Sequence, residues 1–176
     1  MRIVAGELGG RQFDSPKSAK THPMSDKARG ALFNVLGDIT GLDVLDAFAG
    51  TGACSFEAIS RGANSAIAIE QDRLAQRTIA QNIQSLELEH RVTLIATSVQ
   101  AWLQTSPHTT FDLVLCDPPY TDVQPALISR LAERVTPDGI LVLSWPDGTE
   151  LPDLPLLFLQ RKSYGDATLA FYRQAA

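Results

Sequence analysis

The chain has 176 residues, of which 44% are hydrophobic and 20% are charged, a composition typical of a globular protein with a substantial core. No stretch approaches the roughly 18 apolar residues of a membrane-spanning helix, and the opening MRIVAGELGG lacks the apolar region of a secretory signal. We therefore expect a cytoplasmic protein without a membrane partner. The two cysteines lack metal-ligand spacing, so we expect buried thiols and no metal site.

The net charge of −5 is unevenly distributed along the chain. Residues 1–30 carry six lysines and arginines against three acidic residues, a net charge of +3, so the remainder carries −8. A basic N-terminal segment on an acidic body indicates an interaction surface.

The N-terminal segment is predicted to form a β-hairpin followed by a helix. Two short strands, residues 2–5 and 11–13, are separated by glycines, and a loop with two prolines follows. The stretch SDKARGALFNVLG then predicts a helix with Ser25 as its N-cap and Gly37 at its end. We expect residues 1–37 to form an N-terminal extension and residues 38–176 to form one compact domain.

From residue 42 onward, strand patterns alternate with helical patterns. The predicted strands are LDVLDA, SAIAIE, VTLIA, FDLVLCD and GILVLSW, and their spacing predicts βαβ units in a mostly parallel sheet with helices on both faces. Two further β-rich runs, LLFLQRKSY and ATLAFYR, flank Gly165-Asp166 and predict an antiparallel hairpin. The expected fold class is therefore α/β with a mixed sheet.

Polar residues at the ends of the first two of these strands indicate a nucleoside-binding site. In VLDAFAGTGA a strand ends at Asp46, and Gly50 and Gly52 form a tight loop that opens a helix. Glu70 ends the next strand, where its carboxylate can accept both hydroxyls of a ribose. The third glycine of a dinucleotide site and the P-loop motif are both missing, so an adenosyl ligand without a pyrophosphate fits better. The predicted cofactor-binding residues are Asp46, Phe48, Gly50, Thr51, Gly52, Glu70, Gln71, Ser98 and Val99, the last two beside the adenine ring.

The motif DAFAGTG, followed by DPPY after the fourth strand of this region, resembles the S-adenosylmethionine-dependent amino-methyltransferases. The resemblance covers residues 42–176 and implies S-adenosylmethionine as cofactor, on a Rossmann-like methyltransferase fold. It also implies a seven-stranded sheet whose last strand, ATLAFYR, runs antiparallel.

The chemistry of methyl transfer to an amine explains the residues of DPPY. An exocyclic amino group is a poor nucleophile because its lone pair is delocalised into the ring, and its nitrogen must become tetrahedral to attack. The Asp117 carboxylate and the Pro118 carbonyl can accept its two N–H bonds, which favours that geometry in the transition state. Pro119 helps to hold these acceptors in place, and Tyr120 offers a flat face to the target base. The predicted catalytic residues are Asp117, Pro118, Pro119 and Tyr120.

The whole chain resembles the RsmD-type ribosomal RNA guanine-N2 methyltransferases of the bacterial small subunit. MRIVAGELGGRQF, THPMSDKARGALFNVL, the central motifs and RKSYGDATLAFY occur in that family's order. The resemblance implies methylation of a guanine amino group in 16S ribosomal RNA, within the small subunit or an assembly intermediate. We expect a monomer, because the enzyme must reach a ribosomal surface. The predicted RNA-binding residues are Arg2, Arg11, Lys20, His22, Lys27 and Arg29.

Three positions depart from the family pattern. The family favours Arg-Pro-Thr where this chain has His22, Pro23 and Met24, so one cationic RNA contact becomes titratable or neutral. Ser98 stands where an aspartate is usual, which weakens the expected hydrogen bond to the adenine amino group.

Two other functions remain open. One is an adenine-N6 nucleic-acid methyltransferase that uses the same tetrapeptide, although 176 residues leave little space for a DNA target-recognition region. The other is a catalytically degenerate adenosylmethionine-binding module that docks on ribosomal particles. The intact DPPY argues against such a module, whereas Ser98 and Met24 favour it.

Overall fold

The computed structural model describes residues 1–17 and 23–176. Within these ranges the chain alternates between strands and helices, as the sequence predicts. In chain order the elements are α1 (Asp26–Leu36), β1 (Asp43–Asp46), α2 (Ala53–Ser60), β2 (Ser65–Glu70), α3 (Arg73–Ser85), β3 (Val92–Ala96), α4 (Val99–Thr105), β4 (Phe111–Cys116), α5 (Pro125–Ala132), β5 (Val135–Pro146), β6 (Leu157–Tyr164) and β7 (Ala167–Arg173).

The strands form one seven-stranded mixed sheet with the order β3-β2-β1-β4-β5-β7-β6. Strand β2 pairs in parallel with both β1 and β3, and β4 pairs in parallel with β5. Strand β7 runs antiparallel to both β5 and β6. The predicted α/β fold, the C-terminal hairpin and the antiparallel last strand are therefore confirmed.

The chain divides into two compact units, Met1–Val99 and Gln100–Ala176. The predicted N-terminal extension of residues 1–37 belongs to the first unit, together with β1, β2 and β3. The division of the chain into domains of residues 1–37 and 38–176 stays a prediction.

Local sequence signals explain where the helices begin and which face they bury. The Ser25 hydroxyl accepts a hydrogen bond from the Ala28 N–H (3.1 Å), so α1 begins with the predicted N-cap, and Gly37 ends it with a φ of 73°. In α3, Ile79 and Ile83 are four residues apart and both are buried, as expected for one apolar face of a helix.

The N-terminal hairpin is shorter than the sequence predicts. Its two arms meet in a single antiparallel bridge between Arg2 and Gln12 instead of forming two strands. The N–H groups of Val4 and Ala5 donate to the carboxylate of Glu57 on α2, at 2.8 and 3.1 Å. Because these donors are used by a side chain, they are not available to extend a strand ladder.

No helix among the described residues is long and apolar enough to cross a membrane.

Candidate active site

Hydrogen bonds tie the loop after β1 to the end of β2. One oxygen of the Glu70 carboxylate accepts the N–H of Gly50 (2.7 Å), and the other accepts the N–H of Asp72 (2.7 Å). A carboxylate has about four lone-pair sites, so each oxygen retains acceptor capacity for a ligand hydroxyl. The backbone thus holds the Glu70 carboxylate in one orientation, and the carboxylate can still accept hydrogen bonds from a ligand.

Glu70 is partly buried, and this burial raises the pKa of its carboxyl group. The backbone N–H groups of Asp72, Gly50 and Gln71 offset part of that increase. A ligand with two hydroxyls would donate further hydrogen bonds to the carboxylate, and these would lower the pKa of Glu70 as the backbone N–H groups do. The chemistry of this acceptor therefore suits a ribose.

Asp46 stabilises the first turn of α2. Its side chain is 3% exposed and accepts hydrogen bonds from the N–H of Ser55 (3.1 Å) and from the Ser55 hydroxyl (2.8 Å). A carboxylate at a helix N-terminus also interacts favourably with the helix dipole. The role of Ser55 in holding Asp46 was not predicted from the sequence. The sequence did contain one signal for this contact: Ser55 is the third residue of a helix that follows a glycine loop.

The glycine loop has a backbone that other residues would not readily adopt. Gly52, the N-cap residue of α2, has a φ of 78°, and a Cβ atom there would lie 2.8 Å from the ring of Phe56. Gly50 also has a positive φ, of 55°. Both glycines are therefore required by the turn, and they leave the loop backbone open to a ligand's close approach.

All nine predicted cofactor-binding residues lie in the first compact unit, where β1, β2 and β3 are adjacent and parallel. The carboxyl ends of such strands lie on one edge of a sheet, the usual place for a ligand in this architecture. Phe48 and Ser98 are partly exposed, Gln71 is exposed, and Thr51 and Val99 are buried. An acidic acceptor beside a glycine backbone fits an adenosyl group better than a phosphate, as the sequence predicts.

The DPPY segment directly follows β4. Pro118 is buried, Asp117 and Tyr120 are partly buried, and Pro119 is exposed. Burial raises the pKa of the Asp117 carboxyl group, and it raises the pKa of Tyr120 to about 12. The phenol is therefore protonated at neutral pH, and the carboxylate lies in surroundings that strengthen its hydrogen bonds.

Ser144, on the neighbouring strand β5, was not predicted from the sequence as a site residue. Its hydroxyl lies 2.7 Å from the hydroxyl of Tyr120. Ser144 also lowers the pKa of the Asp117 carboxyl and so offsets part of the increase caused by burial. The only signal in the sequence was a serine inside the apolar strand GILVLSW.

The structure gives Arg29 a structural role, so its predicted contact with RNA is wrong. The side chain is fully buried, and its Nη2 donates to Asp26 (2.9 Å) and to the carbonyl of Arg2 (2.6 Å). Its Nε lies 3.4 Å from the carboxylate of Glu57, which is also fully buried. A guanidinium group without exposed surface cannot contact the phosphates of an RNA.

The other predicted RNA-binding residues in the described ranges are exposed. Arg2 forms a surface ion pair with Asp26 (3.1 Å), and Lys27 lies on α1. Arg11 donates to the carbonyls of Ser85 (2.8 Å) and Leu86 at the end of α3. The predicted residues Lys20 and His22 lie outside the described ranges. An RNA contact through this surface stays a prediction.

Comparison with known proteins identifies the family. The family model described as "Conserved hypothetical protein 95" matches residues 1–173. "Putative rRNA methyltransferase YlbH" of Bacillus subtilis (strain 168) is 29% identical over 182 residues, covering 99% of each chain. "Ribosomal RNA small subunit methyltransferase D" of Escherichia coli (strain K12) is 34% identical over 122 residues, which span 68% of this chain and 60% of that relative.

A solved structure supports the same assignment. The protein titled "Putative methyltransferase yhhF from Escherichia coli" is 26% identical, with a TM-score of 0.89 over 100% of this chain and 98% of that one. The predicted methyltransferase fold is thereby confirmed. Because the family model matches nearly the whole sequence, the chain belongs to the conserved hypothetical protein 95 family, the RsmD family of methyltransferases.

Proposed function

We propose that this chain transfers a methyl group from S-adenosylmethionine to the N2 amino group of a guanine in 16S ribosomal RNA. The observation that carries the proposal is the placement of Asp117, a partly buried carboxylate held between the end of β4 and two prolines. The names of the relatives support ribosomal RNA as the acceptor. The proposal includes a monomeric enzyme in the cytoplasm, acting on the small subunit or an assembly intermediate.

The first compact unit binds the methyl donor in this proposal. Glu70 would accept the ribose hydroxyls, and the open backbone of the loop from Gly50 to Gly52 would allow the cofactor to approach closely. Ser98 and Val99 would contact the adenine ring, while Asp46 keeps the loop and α2 in place. When bound, S-adenosylmethionine supplies an electrophilic methyl group on a sulfonium centre.

The second unit holds the target amine. The Asp117 carboxylate and the Pro118 carbonyl accept the two N–H bonds, so the nitrogen lone pair is no longer delocalised into the base. Asp117 would stabilise the positive charge that develops on the nitrogen as the amine accepts the methyl group, and the extra proton of the product would leave to water. Tyr120 stacks on the base, which must be extruded from any helix to reach this segment.

Replacing Glu70 with alanine should weaken the binding of S-adenosylmethionine by about 1.5–3 kcal/mol, the scale of hydrogen bonds to a charged group. Isothermal titration calorimetry measures this directly. Glu89→Ala, which removes an exposed carboxylate from the same unit, is the matched control and should bind the cofactor normally. Equal affinity of Glu70→Ala and the unmodified protein would contradict the proposed ribose site.

Replacing Lys27 with alanine should weaken RNA binding and make it less salt-dependent. Each phosphate neutralised by a cation contributes roughly 0.7–0.9 to the slope of log affinity against log salt concentration, so the slope should fall by about 1 in this variant. Filter binding to 16S RNA at several salt concentrations measures the slope. Arg77→Ala, which removes an exposed cation from α3, is the control. The same slope for Lys27→Ala and Arg77→Ala would argue against the predicted RNA surface.

The acceptor class is tested by transfer of a labelled methyl group. Purified protein and labelled S-adenosylmethionine are incubated separately with undermethylated small subunits, protein-free 16S RNA, transfer RNA and ribosomal proteins. We expect label in the 16S RNA of at least one of the first two samples. Label found only in transfer RNA or protein would overturn the proposal.

A further inference from the structure

Ser144 is a polar residue inside an otherwise apolar part of β5. It is 3% exposed, and its neighbours along the strand, Leu143 and Trp145, are buried as well. A buried hydroxyl is costly unless it is hydrogen-bonded. Its partners are therefore informative about why a serine stands there.

Both partners of Ser144 belong to the DPPY segment. The Tyr120 hydroxyl lies 2.7 Å from the Ser144 hydroxyl. Cys116 and Leu143 are partners in the parallel pairing of β4 with β5, so Asp117 follows in register beside Ser144, which lowers the pKa of the Asp117 carboxyl. One side chain on β5 thus lies beside the first residue of the tetrapeptide and within hydrogen-bond distance of the last.

The protonation states determine the direction of these hydrogen bonds. When Asp117 is ionised, as the proposed reaction requires, its carboxylate is only an acceptor, so Ser144 would donate its proton to Asp117. The oxygen of Ser144 would then accept the proton of Tyr120. The phenol keeps that proton because burial and the negative charges of Asp117 and Asp166 raise the pKa of Tyr120 to about 12. The result is a chain of donors that runs from Tyr120 through Ser144 to Asp117.

We propose that Ser144 is a positioning residue for methyl transfer, and that it and the Tyr120 hydroxyl together orient the carboxyl group of Asp117. This inference rests on the proposed function of Asp117. Stacking on the target base needs only the ring of Tyr120, so the inference also gives the hydroxyl of this residue a role. It also explains why a hydroxyl is buried at this position of β5.

Two charged groups act on this chain of donors: Asp117, which follows β4, and Asp166, which lies in the turn between β6 and β7. Burial raises the pKa of Asp117, and Ser144 lowers it. Loss of the Ser144 hydroxyl therefore leaves burial without this opposing effect, and the carboxylate is protonated at higher pH than before.

The test is the pH profile of kcat/KM for methyl transfer. In Ser144→Ala the acidic limb should move to higher pH by about 1 unit, the scale of one hydrogen bond to a carboxylate. Tyr120→Phe keeps the ring and should move the limb in the same direction by less. Ser144→Thr keeps a hydroxyl and should restore the original limb. Thr168→Val, which removes another buried hydroxyl from the same unit, should leave the limb in place.

A second readout does not depend on activity. Titration of ¹³C-labelled aspartate carboxyls by NMR follows Asp117 directly, with Asp117→Asn to assign its signal. We expect the signal to titrate at higher pH in Ser144→Ala than in the unmodified protein. An unchanged titration would overturn the inference, as would a loss of rate that is equal at every pH. If the unmodified protein transfers no methyl group to any RNA, the proposed function fails, and the NMR titration still decides whether the donor chain exists.

Discussion

Replacing Asp117 with alanine is expected to lower kcat for methyl transfer at least about 100-fold, the scale of losing one group that stabilises developing charge in a transition state. The carboxylate is the only acceptor of the DPPY segment that carries a full negative charge. Its interaction with the amine strengthens as positive charge develops on the nitrogen, so its loss affects the transition state more than the ground state. The affinity for S-adenosylmethionine should change little, because the predicted cofactor residues belong to the first compact unit.

The matched control for Asp117 is Asp122, an exposed carboxylate five residues further along the chain whose side chain accepts a hydrogen bond from Gln124 (3.0 Å). Asp122→Ala removes the same charge from the same loop and should retain most of the activity. Single-turnover rates with saturating cofactor and RNA separate the chemical step from binding. A rate for Asp117→Ala within a factor of a few of the unmodified protein would rule out the proposed mechanism.

Replacing Glu57 with alanine is expected to lower the free energy of unfolding by about 3–5 kcal/mol, because it removes the buried carboxylate that pairs with Arg29 and leaves this buried guanidinium with the partly exposed Asp26 as its ion-pair partner. Glu57 and Arg29 are both fully buried, and their side chains lie 3.4 Å apart. The Glu57 carboxylate also accepts the N–H groups of Val4 and Ala5 and pairs with Arg61 (2.8 Å). One substitution on α2 therefore removes the attachment of the N-terminal hairpin as well as the ion pair.

Glu7 provides the control for Glu57. It forms an ion pair with Arg91, but both side chains are substantially exposed, at 55% and 35%. Exposed pairs contribute roughly 0–1 kcal/mol, so Glu7→Ala should have a small effect. Urea-induced unfolding of both variants measures the difference. A Glu57→Ala protein as stable as Glu7→Ala would show that the buried network does not hold the first unit together.

The burial of the N-terminal residues also determines how RNA binding should be tested. Ile3 and Phe13 are buried, so deleting this segment would expose apolar surface and remove two donors to Glu57. A loss of RNA methylation in such a truncated protein would not distinguish weaker RNA binding from a loss of folding. Substitution of an exposed cation such as Lys27 avoids this ambiguity.

The order of the strands and helices could be predicted because each element carries its own local signal. The five apolar runs after residue 42, the N-cap Ser25 and the turn at Gly165 are all readable from neighbouring residues. Strand ends in a parallel sheet also lie on one edge, so Asp46 and Glu70 could be placed at the same edge of the sheet from their positions alone.

The residues that were misjudged or missed depend on contacts between distant elements. Arg29 looks like a surface cation in a basic segment, yet its partner Glu57 lies 28 positions later on another helix. Ser144 contacts Tyr120 across 24 positions, and nothing in its own strand indicates that contact. The strands of the N-terminal hairpin were predicted to be too long for the same reason. A side chain from α2 accepts hydrogen bonds from the N–H groups that a longer strand would have used.

The identity of the methylated nucleoside tests the central claim most directly. Undermethylated small subunits are incubated with the protein and S-adenosylmethionine, the RNA is digested to nucleosides, and the products are separated and identified by mass spectrometry. The proposal predicts N2-methylguanosine that is formed by the unmodified protein and is nearly absent with Asp117→Ala. N6-methyladenosine as the product would support the adenine-directed alternative. No methylated nucleoside from protein that binds the cofactor would support the degenerate module, and either result would contradict the proposed reaction.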